Sequence, residues 1–328
     1  SVNRVTNLAF LRNTMALVAM RQGDNVSAKR LLGETLAGVA RDAPAQYRLE
    51  CPLFLHNRAR LHMADGDTSL AIQDLTELLA SEPSNSAAYL DRGLLAQRSG
   101  RYDDALRDYD AAIHWSPPYP EPYFNRAQTL VALGRRDEAR AAYDYVLTLE
   151  PNHVDARINR AVLSYELGDL EAAEADSEYM SRQAPEFGRT EEARLSCLRG
   201  LIEMKHGRFT AAEYSFTRAI EADPTLPDSW ANRATKRFKQ RDLDGALRDI
   251  AQSLQLRDDA AARYNRGRIY EALGQWREAI ADYEHALTLM PIPPKHLLAR
   301  LAACHKALRH PRSTTEAGHV RRGGEKTG

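Results

Sequence analysis

The chain has 328 residues, with 45 basic and 45 acidic residues and therefore a formal net charge of zero. This balance differs from the strongly basic footprint of nucleic-acid-binding domains, so we expect no nucleic-acid partner. No apolar run approaches the roughly 18 residues of a membrane span, and we expect no membrane insertion. The three cysteines are far apart, which argues against a disulfide framework and fits a reducing, cytoplasmic compartment. Richness in Arg and Ala is typical of bacteria with high-GC genomes.

After a lead-in over residues 1–8, one pattern returns along the chain with a period of about 34 residues. Each copy has a small residue at its eighth position, Gly at the fifteenth, Ala at the twentieth, a large residue at the twenty-fourth and Pro at the thirty-second. In residues 86–119 these are Gly93, Gly100, Ala105, Tyr109 and Pro117. The pattern predicts about eight repeats. They span residues 9–42, 52–85, 86–119, 120–153, 154–187, 193–226, 227–259 and 260–293.

Each signature residue has a physical role in a pair of helices. Small residues let the two helices cross closely, Gly ends the first helix with a left-handed residue, and Pro stops the second helix. Two irregular segments, Ala43–Cys51 and Gly188–Glu192, are expected to be loops between repeats. Residues 294–310 are predicted to form a helix that caps the last repeat, and residues 311–328 are predicted to be a disordered tail.

This pattern resembles the tetratricopeptide repeat family over residues 9–310. The resemblance implies an all-α, right-handed superhelical solenoid of about eight helix-turn-helix repeats with a C-terminal capping helix. It also implies a concave groove that binds a peptide segment or a helix of another protein.

Asparagine recurs at the sixth position of the repeat, which faces the groove in this family. The series is Asn57, Asn125, Asn159, Asn232 and Asn265, with Asp91, Thr14 and Leu198 as departures. It is similar to the asparagine ladder in the tetratricopeptide superhelix of O-GlcNAc transferase, where such side chains hold a target's backbone. A carboxamide offers donors and an acceptor that match a peptide group. The alternative is that these residues only cap or bridge neighbouring helices.

Arginine recurs at the seventh position and aspartate at the twenty-third. The arginines are Arg58, Arg92, Arg126, Arg160, Arg199, Arg233 and Arg266, and the aspartates are Asp74, Asp108, Asp176, Asp249 and Asp282. Their co-occurrence favours structural ion pairs within each repeat over anion-binding hooks. Arg126 and Arg199 have no aspartate in their own repeats, so we expect them to be available for a ligand carboxylate.

Other positions that face the groove in this family are rich in apolar residues. They include Leu90, Phe124, Val131, Ile158, Tyr165, Phe238 and Tyr264. Exposed apolar surface of this extent is typical of an interaction site, although some of these side chains could instead pack against the neighbouring helix.

The sequence carries no phosphate-binding loop, nucleophile elbow or metal-ligand spacing, so we expect no enzyme activity, cofactor or metal. The favoured function is a non-enzymatic scaffold that binds another protein or peptide. One alternative, suggested by a start at Ser1, is a substrate-recruiting or sensor domain of a larger enzyme or signalling protein. A second alternative is a self-assembly module that forms a homo-oligomer.

Overall fold

The structure, a computed structural model, describes residues 2–42, 51–182 and 188–309. These residues form seventeen α-helices and no strand, which confirms the predicted all-α class. The chain divides into two compact units, residues 1–168 and 169–328. The division falls inside the predicted repeat 154–187. The predicted tail and nearly all of the predicted loop at 43–51 lie outside the described residues.

Unit 1 contains nine helices among its described residues. They are α1 (Val2–Arg21), α2 (Asn25–Asp42), α3 (Cys51–Asp65), α4 (Thr68–Ser81), α5 (Ser86–Arg98), α6 (Tyr102–His114), α7 (Pro120–Ala132), α8 (Arg136–Leu149) and α9 (Val154–Leu167). Helices α1 to α8 pack as four successive hairpins, and the second helix of each hairpin also packs against the next helix in the chain. Such serial packing of helix pairs is the arrangement of an α-solenoid.

Unit 2 contains eight helices among its described residues. They are α10 (Leu170–Arg182), α11 (Arg189–Lys205), α12 (Phe209–Ala222), α13 (Pro227–Lys239), α14 (Leu243–Leu256), α15 (Ala260–Ala272), α16 (Trp276–Thr288) and α17 (Lys295–Arg309). Three hairpins, α11/α12, α13/α14 and α15/α16, follow α10, and their first helices also contact one another in series. The last helix, α17, packs against α16 and buries Leu297 and Cys304 there, so it caps the last hairpin as predicted.

Most hairpin turns contain one residue with a left-handed backbone conformation. Seven glycines have positive φ: Gly23, Gly66, Gly100, Gly134, Gly168, Gly207 and Gly274. The sequence has arginine at the equivalent position between α13 and α14, and Arg241 there adopts a φ of 66°. The turn geometry is therefore kept even where the residue that favours it is absent.

The core of each unit is built around aromatic rings at the twenty-fourth position of the repeat. Tyr109 and Tyr143 in unit 1, and Phe216 in unit 2, are at most 1% exposed. A close helix crossing accommodates each ring. At Gly200, for example, a Cβ atom would lie only 2.4 Å from the Phe216 ring. Glycine at the eighth position is thus required by packing and not by the backbone conformation.

Two boundaries differ from the sequence-based expectation. Helix α1 begins at Val2, inside the predicted lead-in, because neither Pro nor Gly interrupts the chain before Gln22. Helix α11 begins at Arg189, so most of the predicted loop Gly188–Glu192 is its first turn, with Glu191 and Glu192 near the helix N-terminus. Acidic residues are favourable at that end of a helix. No helix in the described part of the chain is both long enough and apolar enough to cross a membrane.

Candidate functional site

The groove of unit 1 is a cavity of about 290 Å³ bordered by the first helices of successive hairpins. Its lining is Gln97 from α5, Gln128 and Val131 from α7, Tyr143 from α8, and Asn159, Val162, Leu163 and Glu166 from α9. Three carboxamides and a tyrosine hydroxyl therefore share the cavity with three aliphatic side chains. Of the residues predicted from the sequence, the cavity brings together Asn159 and Val131.

The tyrosine hydroxyls connect the core to this face of the molecule. The Tyr109 hydroxyl donates to Oε1 of Gln97 at 2.7 Å. In the next hairpin Val131 occupies the position of Gln97, and its side chain cannot accept a hydrogen bond from Tyr143. There Nδ2 of Asn159 instead donates to the Tyr143 hydroxyl at 3.1 Å. Burial raises the pKa of Tyr109, so its hydroxyl stays protonated. The carboxamides of Gln97 and Asn159 are thus each oriented by a hydrogen bond to a tyrosine hydroxyl.

The asparagines of unit 1 differ in their contacts. Nδ2 of Asn57 donates to Oδ1 of Asn13 on α1 at 3.1 Å, which fits the bridging interpretation. Asn125 is half-buried on α7 and makes no side-chain hydrogen bond with other described residues. The departure from the series, Asp91, lies 2.9 Å from Nε2 of His56. Asn125 is therefore the member with the most unused hydrogen-bonding capacity.

The predicted apolar residues fall into two groups. Val131 is 40% exposed and lines the groove, whereas Ile158 is 1% exposed and belongs to the core. The expectation that Ile158 is accessible to a ligand is wrong, because this side chain lies on the buried face of α9. Phe124 packs against the core and stacks on His153, with ring centroids 4.9 Å apart.

Two further apolar candidates of unit 1 are half-buried. Leu90 packs against the core around Tyr109. Tyr165 lies on α9, where burial raises the pKa of its hydroxyl. Neither of them lines the groove cavity.

Four of the predicted ion pairs between the two helices of a hairpin have the same geometry in the described part of the chain. In each pair, Nε and Nη2 of the arginine donate to the two oxygens of an aspartate 16 residues later. The pairs are Arg58–Asp74, Arg92–Asp108, Arg233–Asp249 and Arg266–Asp282, with distances between 2.6 and 2.9 Å. The aspartates are almost completely buried, so these pairs are structural and not ligand hooks.

The arginines without an aspartate in their own hairpin behave differently from the expectation. Nε of Arg126 donates to Oδ1 of Asp110 in the preceding hairpin at 2.7 Å, so the expectation that Arg126 lacks an acidic partner is wrong. Nη1 of Arg160 likewise donates to Asp144 in the preceding hairpin at 2.8 Å, although its own repeat carries Asp176. An aspartate two residues further along the second helix supplies the partner, a position that the sequence pattern did not include.

Arg199 in unit 2 has no carboxylate within ion-pair distance among the described residues. Its Nε donates to Oγ of Ser177 at 3.3 Å, and both residues line a cleft of about 350 Å³. Burial, together with repulsion from Arg218, lowers the pKa of Arg199. Three glutamates also line this cleft, which makes its surroundings acidic overall. Arg199 therefore remains a predicted ligand contact in a setting that does not favour an anion.

The remaining candidates lie on the first helices of unit 2. Nδ2 of Asn232 donates to Sγ of Cys197 at 3.1 Å, and burial raises the pKa of that thiol to about 11. Asn265 is half-buried on α15. Phe238 and Tyr264 are half-buried against the cores of their hairpins.

Several residues of interest were not singled out from the sequence. Gln97 and Gln128 line the groove, and the available signal at Gln97 was a polar residue at a position that is apolar in most other repeats. Lys236 is 1% exposed at a core position and donates to Glu213. Within the described residues, no group of three or more His, Cys, Asp or Glu side chains is placed to hold a metal ion.

Comparisons with known proteins agree with this architecture. Two models of the family described as "Tetratricopeptide repeat" match the chain, one at residues 56–120 and 124–186 and the other at 260–292. The TPR repeat-containing thioredoxin TDX of Arabidopsis thaliana is 33% identical over 100 residues, which are 30% of this chain and 26% of that protein. This chain thus matches about a quarter of that relative's length.

Solved structures show the same fold at low sequence identity. A tetratricopeptide repeat protein from Parabacteroides merdae superposes with a TM-score of 0.68 at 21% identity, covering 78% of this chain and 99% of that one. The APC/C hetero-tetramer Cut9–Hcn1 gives a TM-score of 0.63 at 15% identity, covering 91% of this chain and 54% of the other. The chain belongs to the tetratricopeptide repeat family, whose arrays are in general scaffolds for protein interactions.

Proposed function

We propose that the groove of unit 1 binds an extended segment of a partner protein, without catalysis. The observation that carries the proposal is the joint lining of one cavity by carboxamides and aliphatic side chains. Gln97, Gln128 and Asn159 provide donors and acceptors for a peptide backbone. Val131 and Val162 provide apolar surface for its side chains.

The polar groups of the groove suit a neutral backbone better than a charged group. The one ionised side chain in the lining is Glu166, and Nε of Arg136 donates to it at 2.9 Å. Arg126, which was the candidate for a ligand carboxylate here, already pairs with Asp110. A segment held by its peptide groups would be recognised with little dependence on its charge.

A random 12-residue peptide library, displayed on its encoding mRNA and selected against the full chain, tests this proposal. The affinity of recovered peptides is then measured by fluorescence anisotropy. We expect Gln128→Ala and Asn159→Ala, which each remove a carboxamide of the lining, to weaken binding by about 2- to 12-fold, the equivalent of one hydrogen bond. Val131→Asp should weaken it more, because an acidic group would face the apolar side chains of the peptide.

The matched control is Gln73→Ala, which removes an exposed carboxamide on α4 outside the groove lining. It should leave the affinity unchanged. If no peptide is enriched over a selection without the protein, or if Asn159→Ala and Val131→Asp bind like the parent chain, the proposal is wrong.

A role within a larger enzyme remains a second proposal, and the relative TDX supports it, since its name combines these repeats with a thioredoxin. The full-length reading frame of the natural protein tests it directly. An adjoining catalytic domain would make the groove a recruiting site, whereas a frame without one would leave the scaffold as the whole protein.

Self-assembly is a third proposal, and the solvent-facing side of α1 supports it. Leu8, Leu11, Met15 and Val18 are between 44% and 58% exposed and recur at spacings of three and four residues. Light scattering at two concentrations tests it. A mass that rises with concentration in the parent chain and not in Met15→Glu would support assembly through this helix, and a constant monomer mass would exclude it.

A further inference from the structure

Arg268 on α15 is held between two aromatic rings in unit 2. Its guanidinium carbon lies 4.9 Å from the centroid of the Phe238 ring on α13 and 5.9 Å from the centroid of the Tyr264 ring on its own helix. Tyr264 precedes it by four residues and so lies on the same face of α15. The planar cation is therefore oriented by its neighbours before any ligand binds.

Arg268 differs from every other arginine on α13 and α15 in its lack of an acidic partner. Arg233, Arg237, Arg263 and Arg266 each lie within 3.2 Å of a carboxylate oxygen. No carboxylate lies within ion-pair distance of Arg268 among the described residues, and its buried Nε has no hydrogen-bond partner there. The guanidinium therefore lacks the acidic partner that each of the other four arginines has, and its charge is not neutralised by an ion pair among the described residues.

The carboxylate of Glu271 on α15 is not that acidic partner, because other groups already bind it. Arg300 on α17 donates through Nε to the Tyr264 hydroxyl at 3.1 Å and through Nη1 to Glu271 at 2.8 Å. Glu271 also accepts from the Tyr283 hydroxyl at 2.8 Å. Its carboxylate is therefore committed to two donors, and Arg300 adds positive charge beside Tyr264.

We infer that Arg268 binds the carboxylate of an aspartate or glutamate side chain in a peptide segment that unit 2 recognises. A carboxylate is planar and accepts two parallel hydrogen bonds from a guanidinium, which matches a cation that two rings have already oriented. Phe238 and Tyr264, both predicted contacts, then act by orienting Arg268 as well as by offering apolar surface. This inference rests on the proposal that the chain binds peptide segments, and it adds an acidic residue to what unit 2 recognises.

The random-peptide selection described above tests the inference with four proteins: the parent chain, Arg268→Gln, Arg268→Lys and Arg277→Gln. Arg277 is an exposed arginine on α16, so its replacement controls for the loss of one positive charge in unit 2. Recovered peptides are resynthesised with each Asp or Glu changed to Asn or Gln. Circular dichroism confirms that each variant keeps the helical content of the parent.

We expect to recover peptides that share an acidic residue at one position. Changing that residue to Asn or Gln should weaken binding to the parent chain by at least tenfold. The ratio between the affinities of the acidic and the amidated peptide should fall to less than threefold for Arg268→Gln. It should be smaller than the parent's for Arg268→Lys and equal to the parent's for Arg277→Gln. A selection in which no recovered peptide requires an acidic residue would overturn the inference, as would discrimination that survives Arg268→Gln. If recovered peptides still depend on Asn159 and Val131, the proposed function stands without the inference, whereas an empty selection removes both.

Discussion

The ion pair between Arg92 and Asp108 should contribute measurably to the stability of the α5/α6 hairpin. Asp108→Asn keeps the shape of the side chain and removes its charge, and Arg92→Met keeps an unbranched stem without the guanidinium. The two single variants and the double variant form a thermodynamic cycle that isolates the interaction between the two side chains.

The structure sets the expected size of this interaction. The Asp108 side chain is 9% exposed and that of Arg92 is 23% exposed, with two bonds of 2.9 and 2.7 Å between them. Hydrogen bonds to charged groups contribute about 1.5–3 kcal/mol, and removing one partner of a fully buried pair costs about 3–5 kcal/mol. Since Arg92 keeps some access to water, we expect Asp108→Asn to cost about 1.5–3 kcal/mol.

The matched control is the pair between Arg126 and Asp110, with one bond of 2.7 Å and side-chain exposures of 26% and 58%. Exposed pairs contribute about 0.2–1 kcal/mol. Arrays of repeats open locally, so native-state hydrogen exchange of the α5 and α6 amides is the suitable assay, with urea unfolding as support. Equal coupling in the two pairs, or coupling of Arg92 to Asp108 below about 0.3 kcal/mol, would refute the argument from burial.

Three further predictions follow from packing, charge and burial. Gly200→Ala should destabilise unit 2 by about 1–3 kcal/mol in urea unfolding, because the new methyl group would overlap Phe216. The hydrogen bond from Lys236 holds the pKa of Glu213 below its ordinary value, so its contribution to stability is present above about pH 4.3 and is lost as the pH falls through the lower folded pKa. When the pH is lowered below this value, the urea unfolding midpoint should therefore fall less for Glu213→Gln than for the parent chain. Iodoacetamide at pH 8 should modify Cys197 about a hundred times more slowly than a free cysteine, because burial raises the pKa of the thiol to about 11, and mass spectrometry measures the rate.

The fold was predictable because the repeat specifies the same local geometry many times. The positive φ of Arg241 shows how strong this constraint is, since the turn forms without its glycine. The start of α11 was not predictable from the period, because residues inserted between repeats can extend a helix as readily as they can form a loop. The helix propensity of the Glu191–Glu192 pair was the available signal.

The candidate site was predictable only in part, since its details depend on the rotation of each helix. The pattern identified Asn159 and Val131, which the cavity brings together. It misplaced Ile158 on the groove. On α9 the side chain of Ile158 is buried in the core, whereas that of the next residue, Asn159, lines the cavity. It also missed the Asp110 partner of Arg126 and the ring contacts of Arg268, which depend on distances between hairpins that a single period does not encode.

The two kinds of arginine–aspartate pair have different consequences for how such an array can change in evolution. Arg92 and Asp108 lie in one hairpin, so a duplicated or deleted copy of that hairpin carries its complete ion pair with it. Arg126 pairs with Asp110 from the preceding hairpin. Excising or reordering a hairpin there would leave one charge behind without its partner. Self-contained hairpins can therefore be gained or lost singly, whereas the two hairpins that contribute Asp110 and Arg126 are expected to be inherited together and in fixed order.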